Sequence, residues 1–142
     1  MESRKTRDLS EPAREATLRQ ISEVLAARPE IVFAYAHGSF LLRGPFRDID
    51  LAVWVRPDVA SARHPLDYEV DLGMDLQRVV GIPVDVKRLN EAPLSFRYHA
   101  TRGRSVLCRD EEIRDAWVER VRDAYWDFQP VAQQHLTELL RE

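Results

Sequence analysis

The sequence is poor in the features that staple a chain or carry it through a membrane. It has one cysteine, five glycines among 142 residues, and no apolar run longer than the stretch Ile31 to Ala36. The lone Cys108 forms neither an internal disulfide nor a cysteine metal cluster, and packing in the core is its expected role. That longest apolar run falls far short of the roughly 18 to 20 residues a spanning helix needs, so no membrane segment is expected. The start of the chain, Met1-Glu2-Ser3-Arg4-Lys5-Thr6-Arg7, is charged and lacks the apolar stretch of a secretory signal, which reads as cytoplasmic. Strong charge of one sign is missing too: 21 Lys and Arg face 24 Asp and Glu, a net −3. Broad nucleic-acid binding is therefore not expected. What is present is a 44% hydrophobic fraction to build a core and 32% charged residues to hydrate its surface, in a length suited to a single domain over 1–142.

The charge is unevenly spread. Between Val86 and Arg109, Lys87, Arg88, Arg97, Arg102, Arg104 and Arg109 face Glu91 alone, and Arg97 to Arg104 read as a solvated face. From Asp110 to Glu142 acidic residues dominate on a stretch with helical spacing. An opening helix is signalled by Ser10 as cap, Pro12 in the first turn and apolar Leu18, Ile21, Val24 and Leu25, ending near Arg28-Pro29. Ile31 to His37 reads as a first strand, with Ile31, Phe33 and Tyr35 on one side and Val32, Ala34 and Ala36 on the other. Asp48 to Val55 alternates as a second strand, and Gly38 to Leu42 between them reads as a short helix followed by an Arg43-Gly44-Pro45 turn. A helix from about Pro65 to Val80 is stopped by Gly81 and Pro83, and Val84-Asp85-Val86 makes a third strand. A short helix over Ser95 to Arg102 and an extended Ser105 to Cys108 follow. Ile113, Trp117, Val121, Ala124 and Phe128 form one stripe of a long helix, with Leu136, Leu139 and Leu140 in a further helical segment after Pro130.

One constellation stands above the rest: Gly38-Ser39 directly after a strand, Asp48-Ile49-Asp50 at the start of the next, and Asp85 on a later one. Asp48 and Asp50 leave the same face of a strand about 7 Å apart along the backbone, close enough to chelate one or two hard cations. Two such carboxylates repel, and Mg²⁺ or Mn²⁺, bound through carboxylates and substrate phosphates, relieves that repulsion. Val84 and Val86 face the packed side of their strand, which turns Asp85 the other way, beside Asp50 if the strands are neighbours. Gly38 allows close backbone approach, and Ser39 at the start of a helical turn can hold a phosphate. His37 reads as a structural histidine, and Trp117, Tyr125, Trp126 and Phe128 as core aromatics, with Tyr125-Trp126 as an alternative partner contact.

The run Gly38-Ser39 … Arg43-Gly44 … Asp48-Ile49-Asp50-Leu51-Ala52-Val53, with Asp85 as third carboxylate, resembles the motif of the minimal nucleotidyltransferases of the DNA polymerase β superfamily. In size and layout the chain is most similar to the MNT-domain antitoxins, the MntA-like adenylyltransferases that accompany HEPN toxins. The motif-bearing likeness covers about residues 30 to 90. It implies an α/β fold of α+β type, a small mixed sheet with helices on one face plus C-terminal helices. It also implies ATP as nucleotide donor, Mg²⁺ or Mn²⁺ held by Asp48, Asp50 and Asp85, nucleotide contacts from Gly38, Ser39 and Arg43, and transfer of AMP to a tyrosine of a HEPN-type toxin. The chain departs from many relatives in carrying Phe40 where they have a basic residue, and in the length of the connection before Asp48, which leaves open whether Arg43 or Arg47 meets the triphosphate.

Charge supplies the mechanism to expect. Attack of a hydroxyl on the α-phosphorus builds negative charge on the entering and leaving oxygens, which metals held by Asp48 and Asp50 would stabilise, while Asp85 would hold the metal nearer the nucleophile and take its proton. The same fold serves two other readings: nucleotidyl transfer to a small hydroxylated molecule, and a non-catalytic antitoxin that acts by binding alone.

Overall fold

The computed structural model describes residues 5–141, with side chains described through Phe128 and at 134, 135 and 137–140. Met1 to Arg4 of the charged terminus and the side chain of Leu136 lie outside the described residues. The elements run α1 (Glu11–Ala26), β1 (Ile31–His37), a 3-10 turn (Ser39–Leu41), β2 (Ile49–Val55), α2 (Pro57–Ala62), α3 (Pro65–Val80), β3 (Val84–Arg88), α4 (Leu94–Ala100), β4 (Arg104–Cys108) and α5 (Glu111–Arg141). No helix among the described residues is long and apolar enough to cross a membrane.

Local chemistry sets the boundaries. Ser10 caps α1 by accepting from the Ala13 N–H at 3.3 Å, and α3 stops where Gly81 turns left-handed at φ 73°. The four strands form one sheet in the order β3-β2-β1-β4, with β1 antiparallel to β2 and β4, and β2 parallel to β3. The β2-to-β3 connection is long enough to permit the parallel pairing, because α2 and α3 carry the chain back across the sheet.

Both faces are packed, with different materials. On one, Leu18, Ile21 and Leu25 of α1 and Tyr68, Leu72 and Leu76 of α3 cover Ala34, Ala36, Ile49, Leu51 and Val53. On the other, Tyr98 and Ala100 of α4 and Trp117 and Val121 of α5 cover Phe33, Tyr35 and Ala52. Each fully buried Leu, Ile or Phe contributes roughly 1.5 to 3 kcal/mol, so the two layers together fix the sheet between them. The mixed sheet is the expected one, and the C-terminal helical part supplies its second layer.

Four expectations are corrected. Ile31 does not share a face with Phe33 and Tyr35: the register shifts between Ile31 and Phe33, which sends Ile31 into the α1–α3 layer. The C-terminal part is one helix rather than two. Pro130 lacks the N–H that would bond the Trp126 carbonyl, and the helix runs on through it from Glu111 to Arg141. Of the α5 stripe only Trp117 and Val121 are buried, whereas Ile113, Ala124 and Phe128 are exposed, as is Trp126 outside the stripe, because α5 runs past the edge of the layer it covers. Arg97 is no solvated cation: its guanidinium donates to the carbonyls of Leu89 (3.1 Å) and Asn90 (2.6 Å) and lies over the Trp117 ring. Helix α2 carried no apolar periodicity in the sequence; Pro57 at its first turn is its one signal.

Candidate active site

The site lies where β1 ends and β2 and β3 begin. Asp50 stands opposite His37 on β1 and opposite Asp85 on β3, so the ladder alone puts Asp50 and Asp85 side by side on one face. Asp48 sits just ahead of β2, two residues from Asp50. One carboxylate oxygen from each of Asp48, Asp50 and Asp85 lies within 4.8 Å of the others. Asp48 and Asp50 are half-buried, and Asp85 is exposed. Three oxygen donors converging at this spacing suit a hard divalent cation, and their mutual repulsion makes one favourable.

Gly38 is required here for two reasons. Its φ of 83° and ψ of −162° fall in a region that is essentially reserved for glycine. A Cβ at this position would also stand 2.2 Å from an Oδ atom of Asp50. The absent side chain therefore leaves the room that the Asp50 carboxylate occupies. Ser39 follows, exposed, as the first residue of the 3-10 turn. The turn is held by the Leu41 N–H on the Gly38 carbonyl (3.2 Å) and the Leu42 N–H on the Ser39 carbonyl (3.0 Å).

His37 borders the trio. Its Nε2 is buried without a hydrogen-bond partner among the described residues, and its ring meets Phe96 edge-to-face at 5.3 Å. Burial holds its pKa below the usual histidine value, and the charge of Asp85 opposes that only in part. Burial here thus favours the uncharged imidazole.

Arg43 stands on the loop between the 3-10 turn and β2. It lines a cavity of about 360 Å³ between the loop and α1, with Arg14, Phe40, Leu41 and Leu42, and none of the three aspartates lines that cavity. Phe40 is buried and packs edge-to-face on Phe46 at 4.8 Å, which explains how an aromatic ring stands after Gly38-Ser39. Sequence reasoning missed Arg14 of α1. Its Nη1 donates to the Phe40 carbonyl at 2.7 Å, one Nη2 bond reaches the Gly44 carbonyl at 2.6 Å, and the guanidinium lies 4.9 Å from the Phe46 ring centroid. One signal was available: Arg14 is in phase with the buried stripe Leu18, Ile21 and Leu25, where a cation has no reason to be unless something buried needs it.

The polymerase beta nucleotidyltransferase family matches residues 19–112, a span that contains the glycine, the serine and all three aspartates. Among curated proteins, none matches the chain in sequence. Several solved structures share its fold. A toxin–antitoxin MntA–HepT crystal structure aligns at TM-score 0.67 and 16% identity, over 89% of this chain and 98% of the other. A tri-AMPylated Shewanella oneidensis HEPN toxin in complex with MNT antitoxin aligns at TM-score 0.69 and 16% identity, over 89% and 98%. A toxin–antitoxin structure with AMP-PNP aligns at TM-score 0.70 and 16% identity, over 87% and 98%. With two thirds of its length matched by the family and the three carboxylates gathered at one end of the sheet, the chain belongs to the polymerase beta nucleotidyltransferase family.

Proposed function

We propose that this chain transfers AMP from ATP to a tyrosine hydroxyl of a HEPN-type RNase toxin and acts as its antitoxin. The observation that carries the reading is the convergence of Asp48, Asp50 and Asp85 within 4.8 Å beside a glycine whose side chain would displace one of them. The donor set fits Mg²⁺ or Mn²⁺: three carboxylate oxygens, no sulfur or imidazole among them, and an open side at Asp85 for water and phosphate oxygens. Solved structures of the same fold support the partner class, since one holds a tri-AMPylated HEPN toxin and another AMP-PNP.

Asp48 and Asp50 would hold the cation that accompanies the nucleotide, and Asp85 the one nearer the acceptor. When bound, such cations neutralise charge that builds on the α-phosphate and on the entering and leaving oxygens. The residues of the chain do the rest. Backbone N–H groups at the 3-10 turn and the Ser39 hydroxyl grip the triphosphate, and Gly38 lets it approach the strand end. Asp85, the exposed carboxylate, lies on the side from which an acceptor hydroxyl arrives and takes its proton as the O–P bond forms. Pyrophosphate leaves from the opposite side of the α-phosphorus.

Replacing Asp85 separates catalysis from binding. Asp85→Ala is expected to keep Mg²⁺-dependent ATP binding through Asp48 and Asp50, and to lose transfer of labelled AMP to a co-expressed HEPN-type protein, read by intact mass. Protection of cells from that protein with no mass increase, in wild type and variant alike, would establish neutralisation by binding alone and refute adenylylation.

A further inference from the structure

We infer that Arg14 is a positioning residue for the nucleotide, acting through the loop from Gly38 to Phe46; this rests on the reading of the site as an ATP site. Among the described residues, the loop between β1 and β2 is closed internally by two backbone bonds, at Leu41 and Leu42. Those bonds close the turn without fixing its orientation against the sheet. From outside, Phe40 and Phe46 are buried in the core and one guanidinium ties the turn to the stretch after it. Arg14, whose side chain is 11% exposed, donates to one carbonyl within the turn, Phe40 at 2.7 Å, and to one in the stretch after it, Gly44 at 2.6 Å.

The same group is itself held rigidly. Its Nε donates to the Leu9 carbonyl at 3.0 Å, Asp8 accepts a further bond at 3.1 Å, and the plane packs against Phe40 and Phe46. A reciprocal pair of 2.8 Å bonds between Arg7 and Phe46 clamps the far end of the loop to the same amino-terminal strap. A planar fork can bridge two carbonyls at fixed separation, whereas a lysine presents one compact charge that cannot do both. Ser39 precedes Phe40, so anchoring the Phe40 carbonyl sets where the serine hydroxyl and the turn's N–H groups point. A loop without that anchor must be ordered by the triphosphate itself, and the ordering subtracts from affinity. Phe40, where many relatives carry a basic residue, is one of the two rings against which this cation packs.

The test compares wild type, Arg14→Lys and Arg14→Ala by ATP titration in Mg²⁺, well below their melting temperatures. Loss of both loop anchors in Arg14→Ala is expected to weaken ATP about tenfold or more, and loss of at least one in Arg14→Lys to weaken it in the same direction, with KM for ATP carrying most of the change and kcat at saturating ATP little. Millimolar guanidinium should restore part of the affinity in Arg14→Ala and do nothing to wild type. Lowered melting temperature with ATP affinity unchanged would overturn the proposal and leave Arg14 an ordinary structural cation. Amide exchange at Leu41 and Leu42, read without nucleotide, keeps the question separate from the ATP reading. Faster exchange in both variants supports the anchor even if wild type binds no ATP, and unchanged exchange refutes it. Should Arg14→Ala not fold, Arg14→Gln enters the same measurements.

Discussion

The two ends of the sheet treat charge in opposite ways. Where β1 ends and β2 and β3 begin, three carboxylates are pushed to within 4.8 Å of one another. At the other end, the prominent cations are held by acceptors within the chain, although Nη1 of Arg88 is buried without one among the described residues. Arg88 is buried, with its Nε donating to Glu91 at 2.7 Å and Nη2 to the Ala60 carbonyl at 3.0 Å. Arg109 ties β4 to β1 and α1 through the carbonyls of Ile31 (2.7 Å) and Leu25 (3.2 Å). Asn90 brackets Val55, accepting from its N–H and donating to its carbonyl. One end gathers like charges around a place that a cation would suit, and the other pairs most of its cationic donors within the chain. Stability and activity should therefore respond to mutation at opposite ends.

The sharpest contrast is expected at Asp50. Asp50→Asn should lower AMP transfer by a factor on the order of a thousand or more, since a ligand of the reacting centre is lost. Its melting temperature without metal should stay level or rise, because one of three converging like charges is gone. Mg²⁺ should raise the wild-type melting temperature and leave that of the variant nearly unmoved, since only a protein that binds the ion is stabilised by it. Scanning fluorimetry beside a labelled-ATP assay reads both. Transfer at near wild-type rate would break the contrast at its root.

Gly38→Ala joins the two properties at one residue. A side chain in this backbone region costs about 1 to 3 kcal/mol, and the new Cβ would collide with the Asp50 carboxylate. Both melting temperature and metal-dependent transfer should fall. An unchanged metal response would mean that the carboxylate moves aside at no cost to the site.

Much of this end was legible before the fold was known. Gly-Ser after a strand and Asp-x-Asp at the start of the next are local patterns, and Val84-Asp85-Val86 states its own alternation. The strand pairing that brings Asp85 to Asp50 is not local, because β3 reaches β2 only through two intervening helices. The other end was less legible for the same reason. Arg88 follows Val84 and Val86 at buried positions of β3, but its acceptors come from α2 and the turn after β3, which no periodicity of β3 announces. The slip at Ile31 likewise depends on pairing with β2 rather than on the β1 sequence.

Removing the partner of Arg88 probes the second end alone. Glu91→Ala leaves a buried guanidinium without its carboxylate and should cost about 2 kcal/mol, less than a fully enclosed pair would, because Glu91 itself is partly exposed. Urea unfolding gives the magnitude, and ATP affinity per folded molecule should not change. A shift in ATP affinity would show that the two ends are coupled through β3.

The smallest effect expected is also at that end, and it has a pH signature. Tyr68 of α3 is buried and donates its hydroxyl to Glu30 at 2.8 Å. Burial, then the hydrogen bond to Glu30 and its negative charge, push the Tyr68 pKa far above the ordinary tyrosine value. Below pH 10 the phenol is protonated whether the chain is folded or not, so its titration contributes nothing there. Above about pH 10 the unfolded chain releases the proton while the folded chain keeps it, and stability falls as pH rises. Tyr68→Phe should therefore cost about 1 kcal/mol at neutral pH, where only the hydrogen bond is lost. As pH passes 10 the wild-type protein should lose that advantage and then fall behind the variant, which has no phenol to ionise. Melting temperatures of the two proteins followed from pH 7 to 11 test this. Parallel curves would mean that the buried phenol ionises as readily in the fold as outside it, and that the second end tolerates a charge its packing should refuse.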